Sequence, residues 1–152
     1  MVVIINKIIV SILLLISSLL LTGCGSEKTL DCSLDKEGNF NKVETTLVYK
    51  NDKIKSGETV YTFDYSSEIN NSDQLEVLKE QKFCPSMMKS MKEADSSFKD
   101  AFQACSESWE DGILKITITF NPDELNKKDN FKGIDTAKKA FENDNKMKCT
   151  IK

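Results

Sequence analysis

Apolar and polar residues alternate along much of this chain, and the period of the alternation changes from segment to segment. Leu30, Cys32 and Leu34 stand at every second position, the spacing of a strand with one buried face. Lys36-Glu37-Gly38-Asn39 then reads as a turn. Val43, Thr45, Leu47 and Tyr49 repeat the two-residue period up to Lys50. Asn51-Asp52 separates this run from the next, and both residue types tolerate the positive φ of a tight hairpin. From Ile54 to about Ser66 a third strand carries Thr59, Tyr61, Phe63 and Tyr65 on one face, an aromatic and β-branched row suited to a pleated surface.

The period then lengthens. Ser66 to Ser72 is a polar connector, and Ser72 or Asp73 supplies a helix cap. Leu75, Leu78, Met87, Met88 and Met91 recur at helical spacing to about Ala94, with Lys79, Lys82, Lys89 and Lys92 on the remaining surface. Pro85 interrupts this pattern: the helix either kinks at Cys84-Pro85, or ends so that Pro85 sits in the first turn of another. The methionine stripe reads first as core, although methionine also suits adaptable binding surfaces. Phe98 to Trp109 fits helix or strand by spacing. Glu110-Asp111-Gly112 is a hairpin turn followed by the clearest strand, Leu114, Ile116, Ile118 and Phe120 alternating with Lys115, Thr117 and Thr119. A hairpin needs a partner before Asp111, so Ala104 to Trp109 is read as a strand. Asn121-Pro122 ends the pair, Asp123 to Gly133 is a charged loop with at most one helical turn, and Ile134, Ala137, Ala140 and Phe141 mark an amphipathic helix with Lys138 and Lys139 outside. Lys148 to Lys152 is a terminal strand with Cys149 and Ile151 on one face.

The order β-β-β-α-β-β-α-β predicts an α+β domain, a mainly antiparallel sheet packed by two helices. No internal repeat or low-complexity linker divides it.

The first residues follow a different pattern. Ile8 to Leu21 is almost continuously apolar, softened by Ser11, Ser17 and Ser18, with Lys7 before it and no acidic residue before Cys24. At about 1.5 Å per residue a helix of that run falls short of the ~30 Å hydrocarbon core, which fits a secretory signal better than a membrane span. The run ends in Leu21-Thr22-Gly23-Cys24, which resembles the lipobox of bacterial lipoproteins. That resemblance implies diacylglyceryl transfer to the Cys24 thiol and cleavage just before it. The expected organisation is therefore a signal peptide over 1–23, a lipidated tether over 24–29 and one extracytoplasmic domain over 30–152, held at the cell membrane by its acyl chains.

Composition narrows the chemistry. The chain has 152 residues, 21 basic and 24 acidic, and a net charge of −3; removing the leader, which holds one lysine and no acid, makes it −4. Every basic residue is lysine, and there is no histidine. A mildly acidic, arginine-free domain suits nucleic acid poorly. Without histidine, Ser-His-Asp and Cys-His catalysis and histidine-bearing zinc sites are excluded.

Five cysteines are present. With Cys24 assigned to lipid, Cys32, Cys84, Cys105 and Cys149 remain, an even set outside the cytoplasm, which points to two disulfides with three connectivities open. No CxxC spacing supports zinc. Cys32 and Cys149 lie on the first and last predicted strands, so a bond between them staples the chain ends. Cys84 and Cys105 can meet only if the chain turns back near Asp95-Ser96-Ser97, because one continuous helix would hold them on the order of 30 Å apart.

The lipobox, the short first strand bearing Cys32, the Lys50-Asn51-Asp52-Lys53-Ile54 hairpin and the terminal Lys148-Cys149-Thr150 resemble small uncharacterised lipoproteins of low-GC Gram-positive bacteria. The strand-helix order is also similar to that of the YehR-like lipoprotein family, from which Pro85 beside Cys84 departs by breaking the helix. The resemblance implies a lipid-anchored extracytoplasmic protein and transfers no catalytic residue.

Candidate chemistry beyond the anchor is sparse. Asp123, Glu124 and Asp129 cluster, as do Glu142, Asn143, Asp144 and Asn145, but neither group has an EF-hand spacing, and solvated loops account for both. The six glycines are scattered, so no phosphate loop is formed. Trp109, beside the Asp111-Gly112 turn, and Tyr61, in the aromatic row, are the candidate partner-binding side chains, with packing as the competing account of each. The expected function is a non-catalytic binding or envelope-accessory domain for an envelope protein, peptide or small ligand, with no cofactor or metal. Two alternatives stand beside it: a hydrolase using paired carboxylates or serine alone, and a solute-binding lipoprotein of a transporter, for which one domain lacks a second lobe. Cys24→Ala is expected to abolish lipidation and release or mislocalise the protein. Unchanged membrane retention together with an unlipidated wild-type mass would overturn the anchor.

Overall fold

The computed structural model describes residues 25–37, 40–69 and 71–152, with nothing described of the Lys36 and Glu37 side chains. The expected signal peptide and Cys24 lie outside the described residues, as do Gly38 and Asn39 of the first turn and Asn70 of the connector.

Three strands form a meander: β1 (Lys28–Glu37), β2 (Phe40–Lys50) and β3 (Lys53–Asp64). Two helices follow, α1 (Ser72–Glu80) and α2 (Phe83–Ala94). The hairpin of β4 (Phe102–Glu110) and β5 (Ile113–Phe120) comes next. A short helix α3 (Pro122–Leu125), a 3-10 turn (Asp129–Phe131) and α4 (Ile134–Asp144) lead to β6 (Lys148–Ile151). The six strands form one antiparallel sheet in the order β4-β5-β3-β2-β1-β6, so the expected α+β class is observed.

Both hairpin turns follow from residue type. Asn51 and Asp52 have φ of 53° and 58°, and Asp111 and Gly112 have 48° and 80°. Two successive positive φ values give a turn whose twist matches the strands it joins. Of the two readings of Pro85, the second is observed: α1 ends at Glu80, and Pro85 lies in the first turn of α2, where its missing N–H costs nothing. The first turn of α2 is capped from across the fold. Glu107 Oε2 on β4 accepts the backbone N–H of Phe83 at 2.9 Å and of Cys84 at 3.1 Å.

Several boundaries differ from expectation for local reasons. The cap of α1 is Asn71, not Ser72 or Asp73, because its Oδ1 accepts the Gln74 N–H at 2.9 Å. β1 begins two residues before Leu30, since Thr29 and Lys152 exchange both backbone hydrogen bonds at 2.9 Å. β3 stops at Asp64, whose carboxylate accepts the Ser66 N–H at 2.9 Å and turns the chain, so Tyr65 lies just past the strand. Phe98 to Ala101 turns back, as a Cys84–Cys105 bond requires. One irregularity was not foreseen. Val48 pairs with Ser56 but Tyr49 with Ile54, so Lys55 bulges and shifts β3 by one residue. The bulge puts Ile54 on the buried face with Thr59 despite their odd separation. Asn126 covers the backbone there: its Oδ1 accepts the Ile54 N–H at 2.8 Å and its Nδ2 donates to the Ile54 carbonyl at 3.0 Å.

The cysteines pair as Cys32–Cys149 and Cys84–Cys105. Cys32 and Cys149 are opposite residues on β1 and β6, with Cα atoms 4.1 Å apart. Both helical layers lie on one face of the sheet. α3, the 3-10 turn and α4 bury Leu30, Leu47, Tyr49 and Ile54 with Leu125, Ile134 and Ala137. α2 lays Met87, Met88 and Met91 over Leu114, Ile116 and Ile118, so the methionine stripe is core. Both clusters and both disulfides are built from residues 30–149.

The two disulfides close loops of different length, with sequence separations of 117 and 21. Chain entropy then assigns about 5 kcal/mol to Cys32–Cys149 and about 3.5 kcal/mol to Cys84–Cys105. Paired Cys→Ala variants compared by urea unfolding should lose stability in that order. The reverse order would show that local packing, not loop closure, sets their contributions.

Candidate functional site

The two helical layers meet over the seam between β2 and β3 without closing on it. The space left is a cleft of about 730 Å³. Its floor is sheet: Val43, Thr45 and Leu47 from β2, and Thr59 and Tyr61 from β3. Leu34 and Phe40 extend the floor where β1 ends and β2 begins. One wall is Leu125, Phe131, Phe141 and Met147; the other is Phe98 from the connection between α2 and β4 and Phe102 at the start of β4, with Phe120 at the end of β5. The rings support one another. Phe131 meets Phe98 and Phe141 edge to face, each at 5.9 Å between centroids, and Phe102 lies 5.9 Å from Phe120. Lys128 donates to the Ser97 carbonyl and places its ammonium 5.3 Å from the Phe98 ring centroid. Gly57 makes the inner end possible, because a Cβ there would stand 2.5 Å from Leu47 Cδ2 and 3.3 Å from Phe120 Cδ2.

Polar groups in the cleft are few. Thr45 and Thr59 face each other across β2 and β3, each 4 % exposed, with their hydroxyls 2.8 Å apart. They sit in one row that crosses the whole sheet: Cys149, Cys32, Thr45, Thr59, Ile118, Cys105. Both disulfides terminate this row. Burial pushes the Tyr61 phenol upward from its ordinary pKa, so it stays neutral. The charges, Asp144 and Lys146, stand at the exposed rim with Asn145 between them. This rim follows α4 and immediately precedes β6, whose Lys148 pairs with Ser33 toward the far end of β1 from Lys28. The rim and the start of β1 at Lys28 therefore lie toward opposite ends of the sheet.

The aromatic row extends beyond the cleft. Phe40 lies 5.1 Å from Tyr61 and 5.0 Å from Phe63; Phe63 stacks on Tyr65 at 6.2 Å; Tyr65 meets Trp109 at 5.8 Å, and Trp109 meets Phe83 at 6.1 Å. Both candidate partner-binding residues pack against the Leu114, Ile116 and Ile118 cluster, but Tyr61 also lines the cleft, whereas Trp109 does not and packs beside Phe83 of α2. The Trp109 Nε1 is buried with no hydrogen-bond partner among the described residues.

The carboxylate clusters sit in surface ion pairs: Glu124 with Lys127 at 2.6 Å, Asp129 with Lys132 at 2.5 Å, and Glu142 with Lys138 at 2.5 Å. Lys132 holds the Asp129 carboxyl below its usual range. Among the described residues, no group of three or more potential ligands gathers at a metal-binding distance. Asp144 is the one carboxylate among the described residues lining the cleft, so the facing pair of a glycosidase is not formed there. On the opposite face Asp31 accepts from Lys152 Nζ and Thr46 Oγ1, both at 2.9 Å, which lowers its pKa and ties β6 to β1 and β2. A depressed carboxyl contributes stability above its unfolded pKa and loses it as pH falls through the folded value.

No protein-family model and no curated protein matches the chain. Among solved structures, the chain is similar to the NMR structure of a protein from Streptococcus pneumoniae TIGR4, with a TM-score of 0.39 and 16 % identity over 82 % of this chain and 86 % of that one.

The threonine pair offers a clean energetic test. Thr45→Val or Thr59→Val alone strands the remaining buried hydroxyl and should cost about 1–3 kcal/mol, whereas the double variant removes both groups and should be nearly neutral. Additive losses in the double variant would show that the hydroxyls do not depend on each other.

Proposed function

We propose that this chain is a lipid-anchored, extracytoplasmic, non-catalytic binding domain whose site is the cleft over the β2–β3 seam. The observation that carries the reading is the composition of that cleft: a pre-formed apolar space of about 730 Å³ with three hydroxyls on its floor and its charges confined to the rim. That volume and lining are those of ligand sites, which are mostly apolar with few polar groups. Paired nucleophile and base, or paired acid and base, have no place in it. The lipobox-like Leu21-Thr22-Gly23-Cys24 and the resemblance to YehR-like lipoproteins support the anchor.

The two halves of the proposal fit together geometrically. Residues 25–27 lead from the proposed anchor at Cys24 to β1, which starts at Lys28 beside the Asn51-Asp52 hairpin, while the rim leads into β6 where Lys148 pairs with Ser33, farther along that strand. An anchored domain of this build turns its rim away from the bilayer. Replacing Phe40 by a photoreactive phenylalanine in intact cells should give an adduct of defined mass. The same group at Val48, which alternates with the buried Leu47 and Tyr49 and so faces the other side of the sheet, should give none. Equal labelling from both faces would overturn the cleft as the site.

A further inference from the structure

We infer that the cleft takes a single acyl or alkyl chain, with the polar head of that amphiphile held at the Asp144-Asn145-Lys146 rim. The inference rests on the cleft being the binding site and names the ligand that its chemistry selects.

The argument is one of polar accounting. A polar group buried without a partner in an apolar surrounding loses its hydration with nothing to replace it, and this opposes its entry. Inside the rim the cleft offers three side-chain hydroxyls, and those of Thr45 and Thr59 already satisfy each other at 2.8 Å. The backbone beneath offers nothing either. β2 and β3 are interior strands, paired with β1 and β5 on their outer sides and with each other between, so their N–H and C=O groups are consumed by the ladders. A peptide brings one donor and one acceptor per residue, and its usual remedy, adding a strand to a free edge, is closed here. A hydrocarbon chain brings no polar group along its body, so it loses nothing on entering. Each methylene taken from water into the cleft adds to the affinity.

The shape agrees. Lining residues on β2 run from Phe40 to Leu47, about 23 Å of strand, so the site is long along the strand rather than a single deep pit. Rings from four separate segments, Phe98, Phe102, Phe131 and Phe141, close over the floor, and at the open end a carboxylate, an amide and an ammonium meet solvent together. That asymmetry, apolar inside and mixed-charge at one end, matches an amphiphile with one tail. A free fatty acid and a lysophospholipid share this chemistry and differ in the head.

The test uses residues 25–152, which contain both core clusters and both disulfides, purified without detergent and checked for fold by near-ultraviolet circular dichroism. Parinaric acid is titrated as a fluorescent acyl probe, then displaced by palmitate or by lysophosphatidylcholine; the stronger competitor identifies the head. Saturable binding is expected. Leu34→Trp and Val43→Phe fill the cleft by different amounts and should each weaken binding about tenfold or more, while Val48→Trp on the opposite face leaves it unchanged. Folded protein that does not bind the probe, or cleft-filling variants that both bind it as tightly as the unsubstituted protein, overturn the inference. If an aromatic peptide binds instead and Leu34→Trp blocks it, the acyl ligand is wrong and the cleft reading stands. If neither probe responds to the cleft variants, both fall.

Discussion

A sheet that buries only one face must keep its edge strands in register with the rest, and in this protein both edges are fixed covalently. β6 is four residues long and pairs with β1 alone. Such a strand contributes few ladder hydrogen bonds and would fray if held only by them. Cys149 is bonded to Cys32 directly opposite, Thr29 and Lys152 exchange two backbone hydrogen bonds, and Lys152 reaches Asp31. At the other edge, Cys105 on β4 is bonded to Cys84 in the first turn of α2, whose free amides Glu107 accepts. Helix, edge strand and disulfide are thus one unit. The row from Cys149 to Cys105 runs between these two staples, and everything on the buried face is placed by its register. Surface ion pairs such as Lys89–Glu93, at 4.0 Å and exposed, add little to this.

Much of that framework can be read from the chain before folding. Strict alternation in 114–120 reports a strand buried on one side, and Leu114, Ile116 and Ile118 are all essentially inaccessible. Asn51-Asp52 and Asp111-Gly112 announce their turns because few other residues accept two positive φ values in succession. Pro85 marks a helix start because it cannot sit deeper. What escapes such reading depends on side chains far apart in sequence. Asn126 can be recognised as the partner of Ile54 only once β3 and α3 are in place. The Lys55 bulge leaves no local mark, yet it decides which face Ile54 occupies. Tyr65 belongs to the aromatic row by spacing, but the Asp64–Ser66 turn ends the strand before it.

The cleft is the least legible feature, for the same reason. Its lining comes from every strand except β6 and from the two long connections, β3 to β4 and β5 to β6, and no short motif records it. Tyr61 was visible as part of an aromatic run, but the run does not say which of its members faces a space and which faces a neighbour. Period two places Tyr61 and Trp109 on buried faces alike; only the positions of α2 and α4 distinguish a ring that lines the cleft from one that packs beneath a helix. The helices differ because α2 is bound to β4 through Cys84 and Glu107, whereas α4 is drawn to the opposite edge, where Ile134 and Ala137 pack with the first core cluster. Two layers anchored at opposite edges leave the middle open.

That opening is therefore a consequence of how the sheet is pinned, and the sequence then treats it in a specific way. An uncovered seam could have been made polar, as the opposite face is with Thr46, Glu58, Thr62, Lys115, Thr117 and Thr119. Instead it carries rings and branched aliphatic side chains, which cost stability wherever water reaches them. Thr45 and Thr59 sharpen the point. They satisfy each other rather than presenting separate hydroxyls to the space, so the floor is made less polar than its composition suggests. A pre-formed apolar space with charge only at its lip suits the apolar ligand proposed for it. The two disulfides fix the edge strands of the sheet that floors this space, so the same staples serve the fold and the shape of the cleft.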